Sequence, residues 1–283
     1  ADFAEAEREF RMALRIDPRD AHAHYLLGQL LRDKGDFAGA RRSLQEALRI
    51  DPEHADAHTE LGSQLSDAGD LPNAELCFQR ALEIRPGEAA AHNNLGFALY
   101  EQGKLPAAER AYRVAARIDP GHAAVHYNLG NLFQEVGDMA LTEQSFREAL
   151  RIDPLFAPAQ GSLGEVLREK GDLSAARKCF EAALAIDPLD AASHNDLGLL
   201  HGASGDAPNA ALSFRAALEI EPAEAHMHVN MAEVLRELGD FENATRNLRT
   251  ALSIDPLDER ALYSLGGVLE NLKALSSNAS RTS

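Results

Sequence analysis

The sequence is short of several features that would narrow its class at once. It has no tryptophan, only two cysteines and no apolar run approaching the ~20 residues that a membrane-spanning helix needs. It contains no G-x-S-x-G, P-loop or H-E-x-x-H motif and no Cys/His pair with metal-ligand spacing. We therefore expect no membrane span, no metal site, no cofactor and no catalytic activity in this chain.

Basic residues are also few, with 28 lysines and arginines against 45 acidic residues, so the net charge is −17. An acidic surface repels phosphate groups, which makes nucleic acid and anionic membranes poor partners. The charge has two interpretations that the sequence leaves open. It can serve solubility alone, or it can favour basic or neutral ligands.

The sequence does have one fixed period of thirty-four residues, which is read most easily from proline. Proline stands at 18, 52, 86, 120, 154, 188, 222 and 256. A fixed period of this length predicts a solenoid, in which each repeat packs mainly on its neighbours and there is no central core.

Each repeat reads as two helices, which we call helix A and helix B. In the repeat 123–156, apolar residues recur at helical spacing up to Gly137-Asp138, and a second helical run follows up to Asp153-Pro154. Glycine tolerates a positive φ and ends helices, while proline lacks an N–H and disfavours helix in the residue before it. The predicted pattern is helix A, turn, helix B, turn.

Small residues at fixed repeat positions predict how the two helices touch. Helix A carries a glycine after leucine at Gly28, Gly62, Gly96, Gly130, Gly164, Gly198 and Gly266, and alanine replaces it at Ala232. A glycine inside a helix costs about 1 kcal/mol relative to alanine, so its recurrence needs a packing reason. We expect helix B to approach too closely there for a side chain. Helix B itself carries an aromatic residue at Phe78, Tyr112, Phe146, Phe180 and Phe214.

These positions resemble the tetratricopeptide repeat (TPR), with L-G in helix A, glycine at the turn, alanine and an aromatic residue in helix B, and then proline. The resemblance covers roughly residues 1–272. It implies an all-α, right-handed superhelical solenoid of helix-turn-helix repeats, in which helix A lines the inner, concave face.

The register of the repeats predicts how the chain is organised. Residues 1–20 form a half repeat with helix B only, 21–258 form seven full repeats, 259–275 form a terminal helix A or capping helix, and 276–283 form a disordered tail. Because the sequence begins inside a repeat, and with Ala1 rather than methionine, we expect it to be a piece of a longer polypeptide.

Two residue types with chemical potential follow the repeat as well. Cys77 and Cys179 occupy the same helix B site three repeats apart, which is too far for a disulfide, and we expect both to be packing residues of a protein outside oxidising compartments. Six histidines occupy one helix A site, at His24, His58, His92, His126, His194 and His228. Copies one repeat apart cannot share a zinc ion, whose ligands lie about 2 Å away, so we expect structural imidazoles.

The helix A residues that packing does not use form the expected ligand surface. Asn94, Asn128 and Asn230 share one register, and a row of amides can clamp an extended peptide backbone. The row is similar to the asparagine ladder in the TPR arm of O-GlcNAc transferases, but other residues interrupt it, and asparagine is common at this site in TPRs generally. Aromatic residues lie beside amides in repeats 89–156, as in a binding hot spot. The candidate peptide-binding residues are Asn93, Asn94, Phe97, Tyr100, Tyr127, Asn128, Asn131, Asn195 and Asn230.

We predict a scaffold or adaptor that is not an enzyme and that captures a protein or peptide segment, basic or neutral, on the concave helix A surface. An alternative is the substrate-recruiting TPR arm of a larger enzyme, such as a glycosyltransferase, with its catalytic domain outside this chain. Self-association through the terminal helices is a third possibility. The expected location is cytoplasmic.

Overall fold

The computed structural model describes residues 3–282, with side chains described through residue 273. This part of the chain is all-α, with sixteen helices and no strand. The helices are α1 (Phe3–Ile16), α2 (Ala21–Asp33), α3 (Phe37–Ile50), α4 (Ala55–Asp67), α5 (Leu71–Ile84), α6 (Ala89–Glu101), α7 (Leu105–Ile118), α8 (Ala123–Val136), α9 (Met139–Ile152), α10 (Ala157–Glu169), α11 (Leu173–Ile186), α12 (Ala191–Ala203), α13 (Ala207–Ile220), α14 (Ala225–Glu237), α15 (Phe241–Ile254) and α16 (Glu259–Thr282).

The prediction of two helices per repeat is confirmed, and the turn glycines explain where helix A stops. All seven glycines between a helix A and the following helix B have a φ between 71° and 83°. At Gly137, for example, φ is 82°, and its N–H donates to the carbonyl oxygens of Gln134 and Phe133. A side chain would be strained in this left-handed conformation, so glycine is needed to reverse the chain here.

The close approach predicted at the L-G glycines is also confirmed. A Cβ placed on Gly62 would lie 2.7 Å from the ring of Phe78, and one on Gly96 would lie 2.6 Å from the ring of Tyr112. The aromatic side chain of helix B therefore occupies the space that a helix A side chain would need. Ala232 stands in the place of this glycine in one repeat, where Leu248 replaces the aromatic residue of helix B and lies in the same hydrophobic cluster.

The repeated histidines have a structural role in all but one repeat. In five of them the ring Nε2 lies 2.9–3.3 Å from the carbonyl oxygen of the proline six residues earlier. Gln160 replaces histidine in one repeat, and its Nε2 donates to the same carbonyl, that of Pro154, at 3.4 Å. His126 differs, because its Nε2 is buried without a partner. In these six repeats the contact ties the start of helix A to the turn before it.

The chain divides into two compact units, unit 1 over Ala1–Ile152 and unit 2 over Asp153–Ser283. Each helix A from α2 to α14 packs on the helix B that follows it, and neighbouring helices A also contact each other, as α4 does α6 and α12 does α14. The buried core consists of helix B alanines and aromatics with helix A leucines, among them Phe78, Tyr112 and Phe214.

The C-terminal helix is longer than the sequence predicts. α16 runs from Glu259 to Thr282, whereas the sequence predicts a helix over 259–275 and a disordered tail. No glycine or proline follows Gly267, so the sequence lacks the usual signal that ends a helix. Ser283 lies outside the described residues. No helix in the described part of the chain is long and apolar enough to cross a membrane.

Candidate functional site

The candidate residues lie on the helices A, where side chains of neighbouring helices A meet. We call the surface formed by these side chains the A-helix face of each unit. In unit 1 it is formed by α2, α4, α6 and α8, and in unit 2 by α10, α12, α14 and α16. Neighbouring helices A are close enough for side chains one repeat apart to bond across this face.

A chain of polar side chains crosses the A-helix face of unit 1. Asn128 Nδ2 on α8 donates to Asn93 Oδ1 on α6 at 2.9 Å, and Asn94 Nδ2 donates to Ser63 Oγ on α4 at 3.4 Å. Asn93 Nδ2 lies 3.5 Å from Asn94 Oδ1, which joins the two contacts into one series. All four side chains are only half-buried. The amides therefore fix each other's orientation and keep one side toward solvent.

An aromatic group lies beside these amides. Phe97 on α6 is a large apolar side chain that is 44% exposed, and Asn93 and Asn94 precede it by one helical turn. Tyr100 packs partly on the core, and burial, followed by the nearby charge of Glu135, raises the pKa of its phenol. The ring of Tyr127 lies 5.7 Å from that of Phe146, so one face of Tyr127 belongs to the core. Phe97 is the member of the group that is most available to a ligand.

Asn131 completes the predicted group in unit 1. It stands on α8 one repeat after Phe97, and its side chain is half-buried. Its amide makes no hydrogen bond to another side chain in the described part of the chain. The structure thus brings seven of the nine predicted residues together on α6 and α8. We call this group, Asn93, Asn94, Phe97, Tyr100, Tyr127, Asn128 and Asn131, the amide–aromatic cluster.

The other two predicted residues lie in unit 2 and are buried. Asn195 is 7% exposed and Asn230 is 6% exposed, and Asn230 Nδ2 donates to Asn195 Oδ1 at 3.0 Å. Asn230 Oδ1 also accepts a hydrogen bond from Arg260 at 3.3 Å, so both ends of its amide are bonded. This pair links α12 to α14. Its buried amides present fewer hydrogen-bonding groups to a ligand than the half-buried amides of unit 1 do.

Ion pairs also cross the A-helix face, and the sequence reading did not identify them. Arg32 on α2 bonds to Glu60 on α4 at 2.6 Å. In unit 2, Arg168 Nε on α10 lies 3.9 Å from Asp196 Oδ1 on α12 in the same register. Their signal in the sequence is a spacing of twenty-eight residues, rather than the repeat length of thirty-four.

Two carboxyl groups of unit 2 have unusual protonation behaviour. Burial, followed by the neighbouring charge of Asp196, raises the pKa of Glu165 to about 7. Burial also raises the pKa of Asp196, against the opposing effect of Arg168. Among the described residues, no group of three or more His, Cys, Asp and Glu side chains is arranged to hold a metal ion.

Comparison with protein families identifies the repeat. The tetratricopeptide repeat model matches residues 1–55, 25–88, 59–123, 99–157 and 229–280, and a TPR repeat model matches residues 164–205. No curated protein matches the chain.

Solved structures show the same fold. The APC/C hetero-tetramer Cut9–Hcn1 has a TM-score of 0.74 at 20% identity, over 94% of this chain and 52% of that one, so this chain spans about half the length of that relative. PilF of Pseudomonas aeruginosa has a TM-score of 0.68 at 23% identity, over 78% of this chain and 100% of that one. YrrB, described as a TPR protein with an unusual peptide-binding site, has a TM-score of 0.50 at 21% identity, over 63% and 92%. The structural likeness, together with family models that match more than half of the sequence, shows that the chain belongs to the tetratricopeptide repeat family.

Proposed function

We propose that this protein is a scaffold that captures a segment of a protein partner on the A-helix face of unit 1, at the amide–aromatic cluster. The observation that carries the proposal is the exposure of Phe97, which is 44% accessible and lies one helical turn after Asn93 and Asn94 on α6. An exposed aromatic side chain surrounded by hydrogen-bonding groups has the composition of a binding hot spot. Burying Phe97 under a partner would remove apolar surface from water and so stabilise the complex.

The amides supply the polar part of the contact. Each asparagine has one acceptor and two donor hydrogens, and the bonds between Asn93, Asn94 and Asn128 use only some of them. The remaining donors and acceptors match the N–H and C=O groups of a peptide backbone. Because the amides hold each other in place, less side-chain entropy is lost on binding.

The partner segment is basic or neutral in this proposal. The chain carries a net charge of −17, and Glu101 and Glu135 are close enough to influence the phenol of Tyr100. An acidic segment would be repelled from this face. The similarity to YrrB, whose description names a peptide-binding site, supports the same class of function.

The alternative of a recruiting arm in a larger enzyme is suggested by the partial row of asparagines, and no specific contact among the described residues favours it over the scaffold. In unit 1 the amides form one short series across α4, α6 and α8, and in unit 2 the pair Asn195–Asn230 is buried. We therefore retain the scaffold as the proposed function.

A random peptide library displayed on phage, selected against the whole chain, tests this proposal. Affinities of the selected peptides are then measured by fluorescence anisotropy for the wild type and for two variants. Phe97→Ala removes the exposed ring of the cluster. Leu76→Ala is the matched control, because Leu76 is an exposed apolar residue, 59% accessible, on helix B of the preceding repeat.

The proposal predicts that Phe97→Ala weakens binding by about tenfold or more, while Leu76→Ala leaves it unchanged. Recovery of no binding peptide, or of peptides that bind the Phe97→Ala variant as tightly as the wild type, would overturn it.

A further inference from the structure

One repeat position of the helices A carries an arginine that pairs with an acid of the next helix A. Arg32 on α2 and Arg168 on α10 occupy this position, and each has a carboxylate twenty-eight residues later, Glu60 on α4 and Asp196 on α12. Arg32 lies 2.6 Å from Glu60, and Arg168 lies 3.9 Å from Asp196. In both repeats the guanidinium therefore faces an acidic side chain of the next helix A.

Arg236 on α14 is the third arginine at this position, and the residue twenty-eight later is Ser264 rather than an acid. Ser264 lies on α16, so the next helix A presents a hydroxyl where α4 presents the carboxylate of Glu60. Arg236 is exposed, and its side chain makes no ion pair or hydrogen bond within the described part of the chain. Its guanidinium group, with five N–H donors, lacks the acceptor that the other two arginines face.

The space beside Arg236 is open. A hollow of about 840 Å³ is lined by Glu233 and Arg236 of α14 and by residues of α16 that include Tyr263, Ser264 and Gly267. A Cβ placed on Gly267 would have no atom within 4 Å, and the side chain of Tyr263 is 87% exposed. The volume falls within the range of roughly 300–1,000 Å³ that is typical of ligand sites.

The other charged groups of the hollow leave Arg236 as its available cation. Arg260 already donates to Glu233 at 3.1 Å, so these two charges offset each other. Glu270 is the remaining carboxylate of the lining, and it stands six residues after Ser264, about 9 Å along the helix axis. Exposed charges at such a distance are largely screened, because the Debye length at physiological ionic strength is about 8 Å.

We propose that this hollow binds the side-chain carboxylate of a glutamate or aspartate in a protein segment, with Arg236 as the donor. The carboxylate of the ligand takes the place that Glu60 and Asp196 have opposite the other two arginines. All residues of the site belong to unit 2, whereas the amide–aromatic cluster belongs to unit 1. The proposal therefore goes beyond the proposed function and does not depend on it.

The chemistry of the hollow fits a carboxylate next to an apolar residue. A guanidinium group and a carboxylate form short, charge-assisted hydrogen bonds, often as a bidentate pair. The hydroxyl of Ser264 can donate one more hydrogen bond to an oxygen placed between α14 and α16. Gly267 has no side chain, so the segment can approach the helix closely, and Tyr263 offers an exposed ring to its apolar part.

The net charge of the chain limits the partner to a single acidic residue at this site. A run of several carboxylates would be repelled by the net charge of −17. One carboxylate among neutral or basic residues meets this repulsion only once and gains the contact with Arg236. The segment that fits the hollow therefore carries one acidic side chain beside apolar ones.

Short peptides test the site without knowledge of the partner. Acetyl-Leu-Glu-Leu amide is titrated into the whole chain, and the backbone amide signals of Ser264 and Gly267 are followed by NMR. Acetyl-Leu-Gln-Leu amide is the control probe, because it has nearly the same shape but no charge, and neither peptide has a terminal carboxylate. The glutamate peptide should give saturable shifts, bind about tenfold more tightly than the glutamine peptide, and weaken as salt is raised.

Three variants separate the site from a general effect of charge. Arg236→Gln removes the donor and should weaken binding of the glutamate peptide by about tenfold or more. Arg215→Gln removes the same charge from an exposed position on α13, outside the hollow, and should leave binding unchanged. Ser264→Glu places the missing acid on α16, as Glu60 does on α4. This variant should lose binding without a lower melting temperature, which distinguishes filling the site from unfolding the helix.

Equal affinity for the two peptides, no shift with the glutamate peptide, or unchanged binding in the Arg236→Gln variant would overturn the proposal. An equal loss in the Arg236→Gln and Arg215→Gln variants would overturn it as well, because the effect would then follow net charge alone. The proposed function is tested at Phe97 in unit 1, so its failure is distinguishable from failure here.

Discussion

At the scale of single residues, the fold depends on positions where a glycine of helix A faces a large side chain of helix B. Gly62 has no side chain, and the ring of Phe78 takes the space. Interiors packed at crystal density give no room for an added carbon without a shift of neighbours. Gly266 occupies the equivalent position in α16, which no helix B follows, and a Cβ there would have no atom within 4 Å.

Gly62→Ala should therefore destabilise the protein, by about 1–3 kcal/mol, because the new Cβ would lie 2.7 Å from the Phe78 ring. Gly266→Ala is the control, since a Cβ there has nothing within 4 Å and alanine has the higher helix propensity. Urea unfolding monitored by circular dichroism measures both. Equal effects of the two substitutions would contradict the packing explanation.

The histidine site makes a second prediction at this scale. His92→Ala removes the donor to the Pro86 carbonyl, a contact of 2.9 Å, and should lower the free energy of unfolding by about 0.5–1.5 kcal/mol. His92→Gln should retain most of it, because Gln160 makes the equivalent bond at Pro154. If alanine and glutamine variants unfold alike, the bond contributes nothing measurable.

Comparing equivalent positions of the repeats predicted the packing residues but not the hydrogen bonds across the A-helix face. Asn94 and Asn128 occupy equivalent positions, thirty-four residues apart. The hydrogen bond that forms joins Asn128 to Asn93, which are thirty-five residues apart. A buried residue packs against the same neighbours in every repeat, so the same residue type recurs at that position of the sequence. A bond on the surface depends on the side-chain lengths at two different repeat positions. The 3.9 Å separation of Arg168 and Asp196 could therefore not be predicted from the recurrence of either residue alone.

At the scale of the elements, each helix is ended and started by local chemistry. Turn glycines stop helix A, and carboxylates start several of the helices by accepting a hydrogen bond from a backbone N–H. At α11, Asp172 Oδ1 accepts from the N–H of Ala175 at 3.0 Å. Such caps satisfy donors that the helix itself leaves unbonded.

Asp172→Ala should lower stability by about 1 kcal/mol, because the first turn of α11 loses its acceptor. Asp172→Asn keeps an acceptor oxygen at the same place and should be nearly neutral. Hydrogen exchange of the first α11 amides reports the local effect directly. Unchanged exchange in the alanine variant would show that water replaces the cap without loss.

At the scale of the whole molecule, the raised pKa of Glu165 makes the stability of the fold depend on pH. The pKa of Glu165 is about 7 in the folded chain, above the ordinary glutamate value of 4.5. Between these values the unfolded chain loses the Glu165 proton while the folded chain keeps it. Raising the pH through this range therefore favours unfolding, and the effect is complete above about pH 7.

Glu165→Gln should remove this part of the pH dependence. The variant keeps a neutral side chain beside Asp196 at every pH, so its gain in stability over the wild type should grow from about pH 4.5 to about pH 7 and then stay constant. Urea midpoints across that range, for wild type and variant, measure the difference. A difference that does not vary with pH would mean that the pKa of Glu165 is the same in the folded and the unfolded chain.

The central claim is that a partner segment lies across the amide–aromatic cluster of unit 1. Photocrosslinking tests it most directly, with benzoylphenylalanine placed at Phe97 in one sample and at Leu76 in another, each mixed with a peptide selected on the wild type. The account predicts a crosslink from position 97, on the exposed ring of α6, and none from position 76 on α5. Crosslinking from position 76 alone, or from both positions equally, would contradict it.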